Sequence, residues 1–319
     1  MRLATILGGA VLLAVLLAVP LVVTNLFWLN LAITVLLWAA LASAWNISGG
    51  LAGGLSLGHA AYFGIGAYVT TLLFLRLGIS PWLGMWAGAA LAAAIGAGLA
   101  TITLRLRGPF FVLATLAFGI VIHIVAVNWR EVTRGAAGLV LPFSGGPENM
   151  MFAGLAPYWY IGLALVGLCV GTTIAIRRSR LGYYLVALRE DEDAARSLGV
   201  RVVQCKVIAS AISAALTALA GTFYATFVQY IDPASTTQFN ISVQIALVAI
   251  VGGMGTVIGP VLGALVVVPL GELSRAYLGG GPALMVYGLL LIVIVLAVPR
   301  GIAGGIESVT RHLRRRRNS

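Results

Sequence analysis

The stretch PASTTQFNISVQIALVAIVGGMGTVIGPVLGALVVVPLG, residues 233–271, contains 39 residues and no charged side chain. As one α-helix it would be about 58 Å long, which is too long for one bilayer crossing and short for two full ones. Gly252, Gly253 and Gly255 interrupt it, and Pro260 stands where a first-turn proline starts a new helix. We therefore predict two short crossings or a broken re-entrant pair, whose irregular backbone is buried in protein or lines a cavity.

The rest of the chain has the composition of a membrane protein. Hydrophobic residues make up 61% of the whole chain and charged residues 9%, whereas a soluble domain carries about 25% charged residues. The net charge of +11 would also attract nucleic acid, but the basic residues cluster at the ends of apolar segments, as the positive-inside rule describes. We therefore predict membrane lipid, and not nucleic acid, as a partner.

Ten apolar segments are candidate membrane helices. They are 3–23, 26–46, 55–75, 82–104, 109–128, 157–176, 206–229, 240–253, 258–271 and 283–298. With ten crossings both termini lie on one side, and 16 of the 20 Lys and Arg residues fall there, so we predict that both termini face the cytoplasm. Eight crossings would preserve this parity, and the count stays open. We predict one membrane domain over residues 1–310 and a basic cytoplasmic tail over 311–319.

The sequence SRLGYYLVALREDEDAARSLG, residues 179–199, concentrates four of the nine acidic residues between two apolar segments. Glu192 and Arg196 are four residues apart in the order that stabilises a helix, and Gly199 is placed to end it. We predict a helix over about 183–198. It is either a solvated connection between two spans or a docking helix for a cytoplasmic partner.

Several blocks of the chain resemble a known transporter family. Asp193-Ala194-Ala195 followed by Gly199 resembles the coupling motif of ABC importer permeases. Further blocks resemble the LivM-type branched-chain amino acid permeases: GLSLGHAAYFGIGAY (54–68), RGPFF (107–111), GGMGT (252–256) with Gly259-Pro260, and PRG (299–301). The Ile-x-Leu-Pro tail that follows the coupling glycine in many other importer permeases is absent.

The resemblance implies an all-α polytopic permease domain of the bacterial inner membrane that forms half of the pore of an importer. Its partners would be a second related permease subunit, two ATP-binding subunits and an extracytoplasmic solute-binding protein. The residues implied in coupling to the ATPases lie in and just after the charged helix: Arg189, Glu190, Glu192, Asp193, Ala195, Arg196 and Gly199.

The sequence offers no motif for catalysis. A phosphate-binding P-loop needs a lysine after a glycine-rich turn, whereas the only lysine, Lys206, follows Cys205. We therefore expect ATP and Mg to be bound by the partner ATPase subunits. In this chain we expect no cofactor, no metal site and no catalytic residue.

The first glycine-rich block contains most candidates for a substrate path. Ser56, His59 and Tyr62 follow a predicted helix break at Gly53-Gly54, and a helix that starts there would direct backbone N–H groups at a carboxylate. Alternatively, His59 is a buried neutral side chain that fixes the turn. Thr115, in a later span, is a further candidate, although threonines in membrane helices commonly bond back to their own backbone.

The residues alone do not select the cargo. The resemblance implies branched-chain or other hydrophobic amino acids, with urea, short amides or small aromatic acids as alternatives within the same importer class. An ion-coupled secondary transporter is an alternative of a different class. Such proteins often place ionisable residues inside the membrane, and the predicted spans hold no Asp, Glu, Lys or Arg except at their boundaries.

Overall fold

The computed structural model describes residues 14–103, 106, 108–297 and 301–305, and within them the chain is almost entirely helical. The helices are α1 (14–22), α2 (Leu26–Asn46), α3 (His59–Leu77), α4 (Pro81–Thr103), α5 (Pro109–Asn128), α6 (Arg130–Thr133), α7 (Ala156–Arg178), α8 (Arg180–Glu190), α9 (Glu192–Ser197), α10 (Val202–Val228), α11 (Pro233–Thr236), α12 (Phe239–Gly253), α13 (Gly259–Leu278), α14 (Gly280–Ala297) and α15 (301–305). A π-helical turn, Ile47–Leu51, continues α2. The all-α fold predicted from the sequence is confirmed. The predicted basic tail, 311–319, lies outside the described residues.

Eight helical segments among the described residues are long and apolar enough to cross a membrane. They are Leu26–Leu51, His59–Leu77, Pro81–Thr103, Pro109–Asn128, Ala156–Arg178, Val202–Val228, Pro233–Gly253 and Gly259–Leu278. Each overlaps one of the ten predicted spans. Of the other two, 283–298 falls within α14 except for its last residue, and 3–23 is described only from residue 14, where it is helical to residue 22.

The charge-free stretch 233–271, together with the seven residues that follow it, forms two helical segments of nearly equal length. α11 and α12 lie in Pro233–Gly253, and α13 extends over 20 residues to Leu278. A helix of 20 residues rises about 30 Å, which matches the hydrocarbon core of a bilayer. α13 passes its predicted end at residue 271 because the helix accommodates Pro269 internally and has Arg275 in its last turn, where a cation suits the helix dipole.

Helix α10 lies at the centre of the bundle, packed against α2, α3 and α4. The contacts depend on small residues, since a Cβ at Gly66 of α3 would overlap the backbone of Ala218 in α10. Gly84 and Gly88 of α4 lie against α3, and Gly96 lies against α10. Close approach through small residues is how membrane helices associate without a hydrophobic driving force.

Helix α2 organises the second half of the bundle, where it packs against α7, α12 and α13. At the end of α10 remote from α8 and α9, the chain forms a two-stranded antiparallel sheet of β1 (Leu139–Val140) and β2 (Tyr230–Ile231). The segment between α5 and α7 therefore contributes β1 to this end of the bundle.

Candidate functional site

Two interruptions in the membrane helices lie at the glycines that were predicted to break them. We call residues 47–58 the first break, because they separate α2 from α3, and residues 254–258 the second break, because they separate α12 from α13. Gly53 (φ +71°), Gly253 (φ +124°) and Gly255 (φ +79°) adopt backbone conformations that other residues rarely adopt. Both breaks therefore depend on glycine for their backbone path.

Protein side chains satisfy the backbone of the first break. Trp45 Nε1 donates to the Ser56 carbonyl at 2.8 Å, and the Leu57 N–H donates to Thr115 Oγ1 at 3.1 Å. Thr115 Oγ1 also donates to the Val112 carbonyl of its own helix at 2.9 Å. Thr115 thus makes the back-bond expected of a membrane threonine and also supports the break, whose backbone finds no partners in lipid.

His59 is buried behind the first break, at the start of α3. Its Nε2 lies 2.8 Å from Ser213 Oγ, and Ser213 donates to the Ala44 carbonyl at 2.7 Å. Because the Ser213 hydroxyl has one proton, His59 Nε2 donates in the bond between them. Nδ1 of His59 has no hydrogen-bond partner among the described residues. The edge of the Tyr62 ring lies against the imidazole, with centroids 5.5 Å apart, so His59 joins α3 to α2 and α10.

A cavity of about 660 Å³ brings the predicted substrate-path residues together. Its lining includes all four of them, Ser56, His59, Tyr62 and Thr115, as well as the glycines of the first break, Gly53 and Gly54. Apolar side chains from α4 and α5 form much of the wall, and the charged residues of the lining, among those that the structure describes, are Arg189, Glu192 and Lys206. The predicted substrate path and part of the region between α7 and α10 therefore share one cavity.

The charged segment, residues 180–197, consists of two helices rather than the single helix predicted over 183–198. α8 and α9 meet at Asp191, whose backbone is extended. Asp191 Oδ1 accepts hydrogen bonds from the N–H groups of Asp193 and Ala194, each at 2.9 Å. This N-cap starts a new helix and is the local reason for the interruption.

One face of the charged segment is directed away from the bundle. The side chain of Glu190 is 74% exposed and that of Arg196 is 53% exposed, and Asp193 is exposed as well. Ala195 is buried beneath α9, and Gly199 (φ +82°) turns the chain after α9 ends. This face is the part of the segment that a separate subunit can reach.

Two other residues of the charged segment point into the bundle. Glu192, only 19% exposed, pairs with Lys206 Nζ at 2.6 Å and with Arg196 at 3.2 Å. Arg189 Nη1 donates to the Gly50 carbonyl in the first break at 3.0 Å. These two side chains, predicted to couple to the ATPases, thus make their polar contacts within the chain. Lys206, which was not among the predicted site residues, is marked in the sequence only as its single lysine.

The second break is closed by backbone contacts. A Cβ at Gly252 would overlap the Gly259 carbonyl, so α12 and α13 touch directly where they meet. Thr256 Oγ1 donates to the Gly253 carbonyl at 2.7 Å and accepts from the Gly259 N–H at 3.0 Å. Pro260 lies in the first turn of α13, the position at which a proline costs no helical hydrogen bond.

Asn46 connects the two breaks, although it was not among the predicted site residues. It is the last residue of α2 and is fully buried. Its Nδ2 donates to the Thr256 carbonyl at 2.8 Å, and its Oδ1 accepts from the Gly255 N–H at 2.7 Å. The available sequence signal was an amide side chain inside an apolar span, just before a glycine-rich block.

Membrane-length helices, glycine-dependent breaks and an internal cavity at a charged segment define a polytopic membrane permease. The family described as branched-chain amino acid transport system / permease component matches residues 27–298. The chain belongs to this family. It is accordingly a multi-pass protein of the inner membrane and a component of a transport system rather than an enzyme.

Named relatives agree with the family. The chain is 31% identical to the high-affinity branched-chain amino acid transport system permease protein LivM of Escherichia coli, over 86% of this chain and 69% of the relative. It is 27% identical to LivH of Salmonella typhimurium, over 85% and 92%, and 27% identical to the ribose import permease protein RbsC of Escherichia coli, over 56% and 57%. No solved structure matches the chain.

Proposed function

We propose that this chain is one permease subunit of an ATP-driven importer that carries branched-chain or other hydrophobic amino acids across the inner membrane. The observation that carries the proposal is the shared cavity. The substrate-path residue Ser56 and the charged-segment residues Arg189 and Glu192 line the same space. A movement of the charged segment therefore changes the shape of the path directly.

The charged segment has the two faces that such a coupling element needs. Glu190, Asp193 and Arg196 are exposed, and we assign them to docking on two partner subunits that bind ATP and Mg. Arg189 and Glu192 face the bundle and carry the motion inward. ATP binding then biases a two-state pore through its different contacts with the two states.

The chemistry of the cavity suits a zwitterion with an apolar side chain. Leu99 and Val112 belong to its apolar wall, while Glu192 and Lys206 supply an anion and a cation at one end. The ammonium and carboxylate groups of an amino acid complement that pair, and the wall accommodates an aliphatic side chain. The volume also falls in the usual range for small-molecule sites, about 300–1,000 Å³.

A second permease subunit and an extracytoplasmic solute-binding protein complete the proposed assembly. The relatives include two differently named permeases, LivM and LivH, each described as part of a high-affinity system. This supports a pore made of two related chains. We assign the end that carries β1 and β2 to the solute-binding protein, because it lies opposite the charged segment.

Purification of the tagged chain in mild detergent, followed by reconstitution into proteoliposomes, tests the proposal. We expect ATP-binding subunits and a second permease to co-purify, and labelled leucine to enter the vesicles only with ATP and the solute-binding protein. Excess unlabelled leucine should compete, and urea should not. A chain that purifies alone and moves solute without ATP would instead be a secondary transporter. Competition by urea would reassign the cargo.

A further inference from the structure

The side chain of Asn46 binds the end of α2 to the second break. Its amide uses both functions, donating to the Thr256 carbonyl and accepting from the Gly255 N–H. An amide can pair with a donor and an acceptor in this way in only one orientation. The contact therefore resembles a pair of backbone hydrogen bonds. It joins Asn46 to Gly255 and Thr256, which lie 209 and 210 residues later in the chain.

Arg189 brings the charged segment to the same place. Its guanidinium donates to the Gly50 carbonyl, at the end of the π-helical turn, where the negative end of the α2 dipole favours a cation. A Cβ at Gly255 would overlap this guanidinium, and one at Gly53 would lie 3.3 Å from the Arg189 Cα. Glycines in both breaks thus leave the space that Arg189 occupies.

We propose that Asn46 and Arg189 are positioning residues that join both breaks and the charged segment into one unit. This inference rests on the proposed function. It adds that the two breaks and the charged segment are connected to one another through Asn46 and Arg189. When the charged segment moves with the ATPases, the wall of the cavity and the second break move with it.

The energetic reason is the burial of the linkage. Separating the two breaks would leave the fully buried Asn46 amide and the half-buried Gly255 N–H without their hydrogen-bond partners, and buried polar groups without partners are destabilising. Flexing at Gly253, which has positive φ and adjoins the second break, involves less steric restriction. The two breaks and the charged segment therefore stay together, and the backbone bends where the unit ends.

Transport and hydrolysis measured in the same proteoliposomes test the inference. In the complete complex, Asn46→Asp keeps the acceptor for Gly255 and loses the donor for Thr256, and Arg189→Gln loses the charge. We expect both variants to retain ATP hydrolysis while leucine imported per ATP falls about tenfold, within the usual 5–150-fold range of coupling. Arg189→Lys should recover only part of the ratio, since lysine lacks the planar fork.

Matched controls separate this linkage from general damage. Asn128→Asp alters an asparagine at the end of α5 whose side chain bonds only its own helix in the described residues, and Arg180→Gln removes an exposed cation at the start of α8. Neither should change the ratio. If Asn46→Asp and Arg189→Gln lower hydrolysis and uptake in parallel, leaving the ratio unchanged, the inference is wrong.

A distance measurement gives a second readout. Spin labels at Ser197 and Met254, both exposed, report the charged segment and the second break. In the unmodified complex we expect the same distance without nucleotide and with ATP trapped by hydrolysis-deficient ATPase subunits, whereas Arg189→Gln should make it change between states. If the distance in the unmodified complex changes between the state without nucleotide and the state with trapped ATP, the charged segment and the second break do not move as one unit, and the inference is wrong. Absence of ATPases from the unmodified complex would instead overturn the proposed function.

Discussion

The two breaks are built from similar glycine-rich sequences but differ in construction. The first break covers 12 residues, accepts a hydrogen bond from a side chain of α2, donates one to a side chain of α5, and lines a cavity. The second break covers five residues, is bonded through Thr256 to its own neighbours and through Asn46 to α2, and adjoins a direct backbone contact between α12 and α13. The first break is open on one side and the second is closed.

The glycines explain this difference. In the second break they allow backbone to touch backbone, as at Gly252, where a Cβ would overlap a carbonyl. In the first break, a Cβ at Gly54 would lie 3.3 Å from the Phe111 ring and 3.4 Å from the Ser48 carbonyl. Small shifts of these neighbours would relieve such close contacts. Gly54 thus leaves space beside the cavity, whereas Gly252 near the end of α12, like Gly50 and Gly58 in the first break, allows a close backbone contact. We infer that the first break forms the path and the second anchors it.

The largest effect is expected from Gly252→Ala. The new methyl group would force α12 and α13 apart, and overpacking of this kind costs about 1–3 kcal/mol or more. We expect the free energy of unfolding to fall by about 3 kcal/mol, at the upper end of that range, and the yield of monodisperse protein to collapse. Thermal unfolding in detergent measures the loss of stability. Gly167→Ala, in α7, adds a methyl group where nothing lies within 4 Å and should be neutral.

A second prediction concerns the charged segment, which contacts the first break without being part of either break. Changing Glu190, Glu192 and Asp193 together to lysine should lower ATP-dependent leucine uptake by more than about tenfold. The change reverses the docking charges of Glu190 and Asp193 and replaces the inward pair of Glu192 and Lys206 by a repulsion. Membrane insertion should remain intact. Co-purification of the ATPase subunits and uptake are the measurements.

The control for this reversal is Glu272→Lys, an exposed change on α13 that removes only a surface pair with Arg275. Such pairs contribute about 0–1 kcal/mol, so uptake should persist. Normal uptake in the triple variant would show that these charges are not needed for docking of the ATPase subunits. A large loss of thermal stability there would show that the charged segment is a structural part of the breaks.

Most of the fold could be predicted from local sequence. Apolar runs of membrane length predicted eight spans that the structure describes, and glycine-rich blocks predicted both breaks. Local signals were also misjudged: Asp191 is an N-cap residue by type, yet the helix was predicted to run through it. The helix α13 was ended too early because its predicted span stopped at residue 271, where the charge-free stretch ends before Glu272.

The linkage within the site could not be predicted from local sequence. Asn46 and Gly255 meet across 209 positions, and a single sequence carries no record of such pairing. The direction of Glu192 depends on Lys206, 14 residues away, and on how α9 turns after Asp191. Sequence therefore identified which residue types were unusual in a membrane, whereas the structure determined which of them meet.

A smaller effect is expected from Thr115→Val, which tests how the first break is held. Valine keeps the shape of threonine but cannot accept the Leu57 N–H bond, and an unsatisfied partly buried donor costs about 1 kcal/mol. Uptake should fall a few-fold and the thermal midpoint slightly. Thr172→Val, which removes only an exposed back-bond to Leu168, is the control. Equal effects at the two positions would mean that the bond to the break contributes nothing.

The smallest effect on stability is expected from Gly54→Ala, the counterpart of Gly252→Ala in the first break. The neighbours of the new methyl group are the edge of the Phe111 ring and the Ser48 carbonyl, and both can move because the break is open to the cavity. We expect the free energy of unfolding to change by less than about 1 kcal/mol, the usual size for a tolerated core change. Gly98→Ala, with nothing within 4 Å, gives the baseline for thermal unfolding. If Gly54→Ala unfolds the protein as Gly252→Ala is expected to, the first break is packed as tightly as the second, and the division into a path and an anchor fails.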